Sequence, residues 1–140
     1  MILFWLFSAI QSWGYVSGLN LLGAPYDFRY GPSTHFNKRL KALIEEGFVQ
    51  SGGQPVTILS HSMGGIMAHF FLKQQNQAWK DRYVRELISL STPWKGSLAM
   101  LHAAISGYTW GFSRGVNTLA IRNVQRNSES AFALLPTNRN

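Results

Sequence analysis

Two strand-like runs, the mostly apolar Val56–Leu59 and the mixed Val84–Leu90, constrain this chain more than any other feature, because a helical pattern separates them. Val, Thr, Ile and Leu suit the pleated, half-buried surface of a strand. Between the runs Met63, Ile66, Met67, Phe70 and Phe71 recur at the spacing of one helix face, to about Gln75. A strand, a helix and a second strand with a crossover of that length pair as parallel strands joined right-handedly. The expected fold class is α/β, a parallel sheet flanked by helices.

The flanks fill in around that unit. The first 26 residues carry no charge, and Leu3, Phe4, Leu6, Phe7 and Ile10 fit a helix packed on a sheet, closed by Gly14. Met1–Phe7 is too short to span a bilayer, which needs ~20 apolar residues. The first basic residue, Arg29, comes too late for the basic start of a signal peptide. Leu19–Leu22 reads as a short strand, and Pro25 and Pro32 bracket a structured loop. Ser33 or Thr34 can cap a helix carrying Phe36, Leu40, Leu43 and Ile44, with Gly47 as its stop. Gln50–Gln54 is a turn, and 78–83 leads into the second strand. Ser97 can cap a short helix through Ile105. Gly107–Ser113 alternates aromatic and small residues, as a loop over the core or a lipid-contacting lid would. Arg122–Pro136 suggests one further helix with Phe132, Leu134 and Leu135 at its apolar end.

Charge and cysteine usage exclude several function classes. The 140 residues contain 13 Lys and Arg against 6 Asp and Glu, a net charge of +7. The basic residues are scattered, with no recognition helix or zinc-finger spacing, so nucleic acid is not an expected partner. A mild preference for anionic surfaces is. The absence of cysteine rules out a disulfide framework and any cysteine metal site. No phosphate loop or ligand cluster suggests a metal or cofactor.

The chemistry concentrates where the first strand meets the helix, at Ser60-His61-Ser62-Met63-Gly64. Strand, tight turn and helix with a serine at the tip is the layout of a nucleophile elbow, of form G-x-S-x-G, with Ser60 at the first glycine's place. The alternative is a strand-to-helix turn that happens to carry a serine. A serine hydroxyl needs a base to take its proton, and the oxyanion it generates needs donors fixed in advance. Ser62 is the candidate nucleophile, and the Met63 backbone N–H, at a helix amino terminus, is the candidate oxyanion donor. Crowding in such a turn asks for small residues at Ser60 and Gly64.

Two loops flank the same edge. Tyr26, Asp27 and Arg29 either shape their own turn through an Asp27–Arg29 bond or wall the cleft. Ser91–Ser97 leaves the second strand at its carboxyl end, where open α/β sheets bind ligands, which makes Trp94 a candidate substrate contact. A base is harder to find. His69 lies about two turns along the helix from Ser62. Asp81 precedes a strand, at the opposite edge. His102 is on the right edge without an acid to orient it, His61 points away in such a turn, and His35 has no partner. The triad is incomplete.

Ala24-Pro25-Tyr26-Asp27-Phe28-Arg29, the Ser62 elbow, Gln77-Ala78-Trp79-Lys80-Asp81-Arg82-Tyr83, Ser91-Thr92-Pro93-Trp94-Lys95-Gly96-Ser97 and Ser130–Pro136 follow in that order. Together they resemble the lecithin:cholesterol acyltransferase family, over most of the chain from Gly14 to Pro136. The resemblance implies an α/β-hydrolase fold, of which residues 1–140 would be a partial domain bearing the nucleophile elbow. It further implies acyl transfer from a phospholipid through an acyl-serine at Ser62, with Met63 as an oxyanion donor. The acceptor would be a sterol, diacylglycerol, another alcohol or water. The family's first oxyanion donor would lie before Met1 and its catalytic Asp and His after Asn140. No cofactor is implied. The implied partners are phospholipid, acyl acceptor and a membrane or lipoprotein surface, in a secreted, lysosomal or endoplasmic reticulum setting. A non-catalytic lipid-binding protein on the same scaffold and a plain serine ester hydrolase are the alternatives.

Overall fold

The structure, a computed structural model, describes residues 2–32, 34–109 and 117–136. Its elements are α1 (Ile2–Ser12), α2 (Thr34–Gln50), β1 (Val56–His61), α3 (Met63–Lys73), α4 (Gln77–Tyr83), β2 (Val84–Leu90), α5 (Leu98–Ser106), α6 (Thr118–Arg126) and α7 (Glu129–Ala133). β1 and β2 pair in parallel across a crossover made of α3 and α4, as the strand–helix–strand pattern predicts. Val56 pairs with Val84 and Thr57 with Glu86, so Arg85 is an extra residue at the start of β2; from there the register runs evenly to His61 opposite Leu90. The two strands therefore end level.

The core lies where α2, α3 and α4 meet the sheet. Leu40, Ile44, Phe71 and Trp79 form its buried centre, with Phe36, Val56, Ile58, Leu72, Tyr83 and Val84 packed against it. The rings of Phe71 and Trp79 meet edge to face, 5.6 Å apart, the arrangement that aromatic quadrupoles favour. Burying Trp79 requires a partner for its indole N–H, which donates to Glu45 Oε1 at 2.8 Å.

Several local expectations are corrected. The 78–83 stretch is itself a helix, because the Asn76 side chain accepts the Trp79 N–H at 2.8 Å and caps it. Gly47 does not end α2, which runs three residues further to Gln50. That extra turn sets Phe48 against the Tyr83 ring at 4.9 Å, and a Cβ on Gly47 would come within 3.3 Å of Leu22 Cδ1. Gly47 is a packing residue. Leu19–Leu22 forms a turn with one isolated bridge, Ser17 to Leu21, held by three amides donating to the Val16 carbonyl. The expected single helix over 122–136 is two, α6 capped by Asn117 and α7 opening at Ser128.

α1 forms and Gly14 closes it at φ 94°, but it is not the buried helix that its composition suggested. Ile10 is buried, while Phe4, Trp5 and Phe7 face outward. Trp110 to Ser113, and Ser33 as a cap, lie outside the described residues. Among the described residues no helix is long and apolar enough to cross a membrane.

Candidate functional site at the carboxyl edge of the sheet

Each strand is followed directly by a serine with positive φ, Ser62 at 54° and Ser91 at 51°. Side chains rarely adopt that region, so each marks a turn held by its surroundings. At Ser62 the hold is visible: its N–H donates to the Leu90 carbonyl at 2.8 Å, and its own carbonyl accepts from Gly65 N at 3.1 Å. With ψ at −128°, Ser62 stands at the N-cap position of α3, yet its side chain makes no capping bond. A serine there would ordinarily satisfy an amide of the first turn. Its hydroxyl is left available, and Met63, the first residue of α3, has an amide that helix geometry leaves without an intrahelical partner.

The crowding in this turn is not where the motif led us to expect. A Cβ at Gly64 would meet Ser60 Cβ and the Tyr26 hydroxyl at 3.8 Å, an ordinary contact. At Gly65 it would fall 2.0 Å from Thr92 Oγ1, 2.7 Å from its Cγ2 and 2.9 Å from its Cβ. The helix thus approaches the loop after β2 through Gly65. Ser60, buried, donates its hydroxyl to the Ile88 carbonyl at 3.2 Å and so contributes to the sheet.

Ser62 and Met63 line a cavity of about 620 Å³, whose wall is mainly apolar. Tyr26 and Phe28 come from the proline-bracketed loop, Phe36 and Leu40 from α2, Met100 from α5, and Val124, Ala131 and Leu134 from the α6–α7 region. Tyr26 packs edge-on against Phe36 at 5.3 Å, and burial pushes its phenol pKa up, so it stays neutral near pH 7. Of the predicted site residues, Tyr26, Ser62 and Met63 share this cavity, while Asp27, Arg29 and Trp94 do not line it. Arg29 Nε reaches both Asp27 carboxylate oxygens, at 2.9 and 3.0 Å, and its backbone N–H donates to Oδ1 at 3.0 Å. These bonds hold the Asp27 carboxyl at about 2, and the pair shapes its own turn. Arg29 borders a separate, shallower cavity of about 450 Å³ with Tyr30, Asn127 and Glu129. Trp94 is exposed, with its ring edge-on to His69 at 5.6 Å.

The walls that sequence reasoning missed come chiefly from α7. Ser97 N donates to the Leu134 carbonyl at 2.8 Å, Gly31 N to Glu129 Oε2 at 3.1 Å, and Ser130 N to the Arg29 carbonyl at 3.4 Å. This short helix ties together the loops before α2 and after β2. The Ser130–Pro136 segment was the available signal.

Among the described residues no histidine or carboxylate hydrogen-bonds the Ser62 hydroxyl. His69 and His102 are exposed, the latter stacked on Tyr108 at 4.9 Å, while His61, at the end of β1, does line the cavity. All six carboxylates have other partners: Asp27 with Arg29, Glu45 with Trp79, Glu46 with Gln50, Asp81 with Gln77, Glu86 with Thr57 and Glu129 with Gly31. No group of His, Asp and Glu able to hold a metal ion occurs among the described residues.

The family model described as Lecithin:cholesterol acyltransferase matches residues 1–140. The chain belongs to the lecithin:cholesterol acyltransferase family. It is 40% identical over 133 residues to Lecithin-cholesterol acyltransferase-like 1 of Arabidopsis thaliana, covering 89% of this chain and 31% of that protein. It is 39% identical over 132 residues to the human Lysosomal phospholipase A and acyltransferase, covering 93% and 32%. The Gallus gallus Phosphatidylcholine-sterol acyltransferase is 39% identical over 126 residues, covering 89% and 30%. The chain thus spans about a third of the length of the curated relatives it matches.

Proposed function

We infer that this member of the lecithin:cholesterol acyltransferase family carries the nucleophile-bearing part of an α/β-hydrolase fold that transfers acyl groups from phospholipid. The observation that supports this best is Ser62: positive φ, hydroxyl free of capping duty, at the mouth of helix α3 and on an apolar cavity. In the reaction the Ser62 oxygen attacks the ester carbonyl of a phospholipid and gives its proton to a base. The Met63 N–H donates to the oxyanion of the tetrahedral intermediate. Collapse expels the lysophospholipid alcohol, which takes that proton, and leaves an acyl-serine. An alcohol or water then attacks the acyl group and restores the serine. The apolar wall suits an acyl chain, and Tyr26, whose hydroxyl lies near Gly64, orients the ester end. Asp27 and Arg29 act on substrate only through the loop that carries Tyr26.

Among the described residues no histidine or carboxylate hydrogen-bonds the Ser62 hydroxyl, and this favours a second reading, lipid binding without chemistry. Fluorophosphonate labelling separates the two. Acyl transfer expects covalent modification of Ser62 in the chain and none in Ser62→Ala. Phospholipid binding with no label on the unaltered chain would overturn acyl transfer and leave the binding role. Adding an alcohol acceptor and analysing for a transferred ester then separates transferase from plain hydrolase.

A further inference from the structure

Apart from His102 and Ser106, helix α5 carries only apolar side chains. Its inner face carries Ala103, fully buried, and Met100, which lines the Ser62 cavity. Its outer face carries Leu98, 75% exposed, Leu101, 40%, and Ile105, 60%. At 3.6 residues per turn these three lie within an arc of about 60°, a continuous apolar stripe. An exposed apolar stripe of this kind, with His102 at its edge, belongs against an apolar partner.

Charge identifies the partner. No acidic residue occurs between Glu86 and Glu129, whereas the exposed Lys95 precedes the helix and the exposed Arg126 of α6 sits against it, its Nε–H donating to the Ala104 carbonyl at 2.7 Å. Trp94, half exposed, precedes Lys95 just ahead of the helix. A tryptophan, an uncharged aliphatic stripe and basic residues with no acid among them match the interface of an anionic bilayer. A second copy is a poorer match, because a stable protein interface needs about 800 Å² from each partner and three side chains fall short of that.

We propose that α5 docks this protein on an anionic phospholipid surface, with Leu98, Leu101 and Ile105 seated among the outer ends of the acyl chains. The proposal deepens the reading of the Ser62 cavity as an acyl site and rests on it in one respect. Met100, on the opposite face of the same helix, would then hold that cavity within a helix diameter, ~10 Å, of its lipid supply.

The chain has no cysteine, so a single one can be labelled cleanly. In the Ser62→Ala background, Ile105→Cys carrying a polarity-sensitive fluorophore is mixed with phosphatidylcholine–phosphatidylglycerol vesicles. A blue shift and quenching by lipid-borne spin labels are expected there. They are not expected at Val49→Cys, equally open at 74% exposure on α2. Leu98→Ser with Leu101→Ser should weaken vesicle binding about tenfold or more with the circular dichroism spectrum unchanged. Equal responses at the two probes, or burial of the Ile105 probe by lipid-free self-association, would overturn the proposal. Its failure together with retained fluorophosphonate labelling of the unaltered chain would leave the Ser62 reading standing, and the converse would remove that reading alone.

Discussion

Alanine at Gly64 and alanine at Gly65 should behave in opposite ways, although both residues occupy the first turn of α3. On helix propensity alone each substitution gains up to ~1 kcal/mol. At Gly64 nothing opposes that gain, since the new methyl meets atoms at 3.8 Å. At Gly65 it would sit 2.0, 2.7 and 2.9 Å from three atoms of Thr92. Rotating Thr92 about χ1 can move its Oγ1 and Cγ2 but leaves its Cβ in place, so the loop after β2 must shift. Overpacking of this kind costs ~1–3 kcal/mol, and the rigid contact puts Gly65→Ala at the upper end. The expected outcome is a net loss of about 2 kcal/mol for Gly65→Ala and a small gain for Gly64→Ala. Equilibrium unfolding in urea reads both as midpoint shifts at constant slope. Adding Thr92→Ala removes two of the three offending atoms and should recover about 1 kcal/mol, a coupling that a double-mutant cycle isolates. The reasoning is refuted if Gly65→Ala is as stable as the parent, or if the two glycine substitutions cost the same.

Ser62→Gly should stabilise the chain by about 1 kcal/mol in the same unfolding assay, because glycine accepts a φ of 54° without the ~1–3 kcal/mol that a side chain costs there. It should also abolish fluorophosphonate labelling, the opposed effects expected of a strained functional position. Asp27 should titrate with a midpoint at about 2 in the folded chain, below its ordinary 3.8, and return toward that value in Arg29→Gln. The sign follows from the depression: the contribution to loop stability is complete above pH ~4 and is lost as pH falls toward 2. Carboxyl chemical shifts followed by NMR check both, and a midpoint unmoved by Arg29→Gln would discard the pairing.

The parallel strand pair was legible because β-prone residues flank a helix-spaced segment long enough for a crossover. The second strand begins and ends where Val84 and Leu90 indicated. β1 runs on to His61 because Ser60, polar in sequence, serves the ladder through its bond to Ile88. Ser97 was readable as a cap, since its side chain accepts the Met100 N–H as a cap should. Glycines were less legible. Gly47 carries the same sequence signal as a stop but answers to Leu22, a neighbour distant in the chain. The motif put the need for a small residue at Gly64, whereas tertiary packing put it at Gly65. The aromatic composition of α1 suggested burial, yet the helix presents Phe4 and Trp5 outward. In the site, local bonds such as Asp27 to Arg29 were within reach of sequence reasoning. The cavity wall was not, since it depends on which distant segment closes over the elbow.

That closure has a consequence for synthesis. The elbow and both strands are complete once residue 90 is made, but the bonds joining the flanking loops run from Arg29 and Gly31 to Glu129 and Ser130, and from Ser97 to Leu134. Chains grow at ~5–20 residues per second, so several seconds separate the formation of Ser62's turn from the arrival of the helix that encloses it. Through that interval Phe36 and Met100 lack the wall that α7 supplies. A nascent chain stalled before residue 129 would carry a finished nucleophile turn in an open, apolar trough, the kind of surface that chaperones bind and proteases cut.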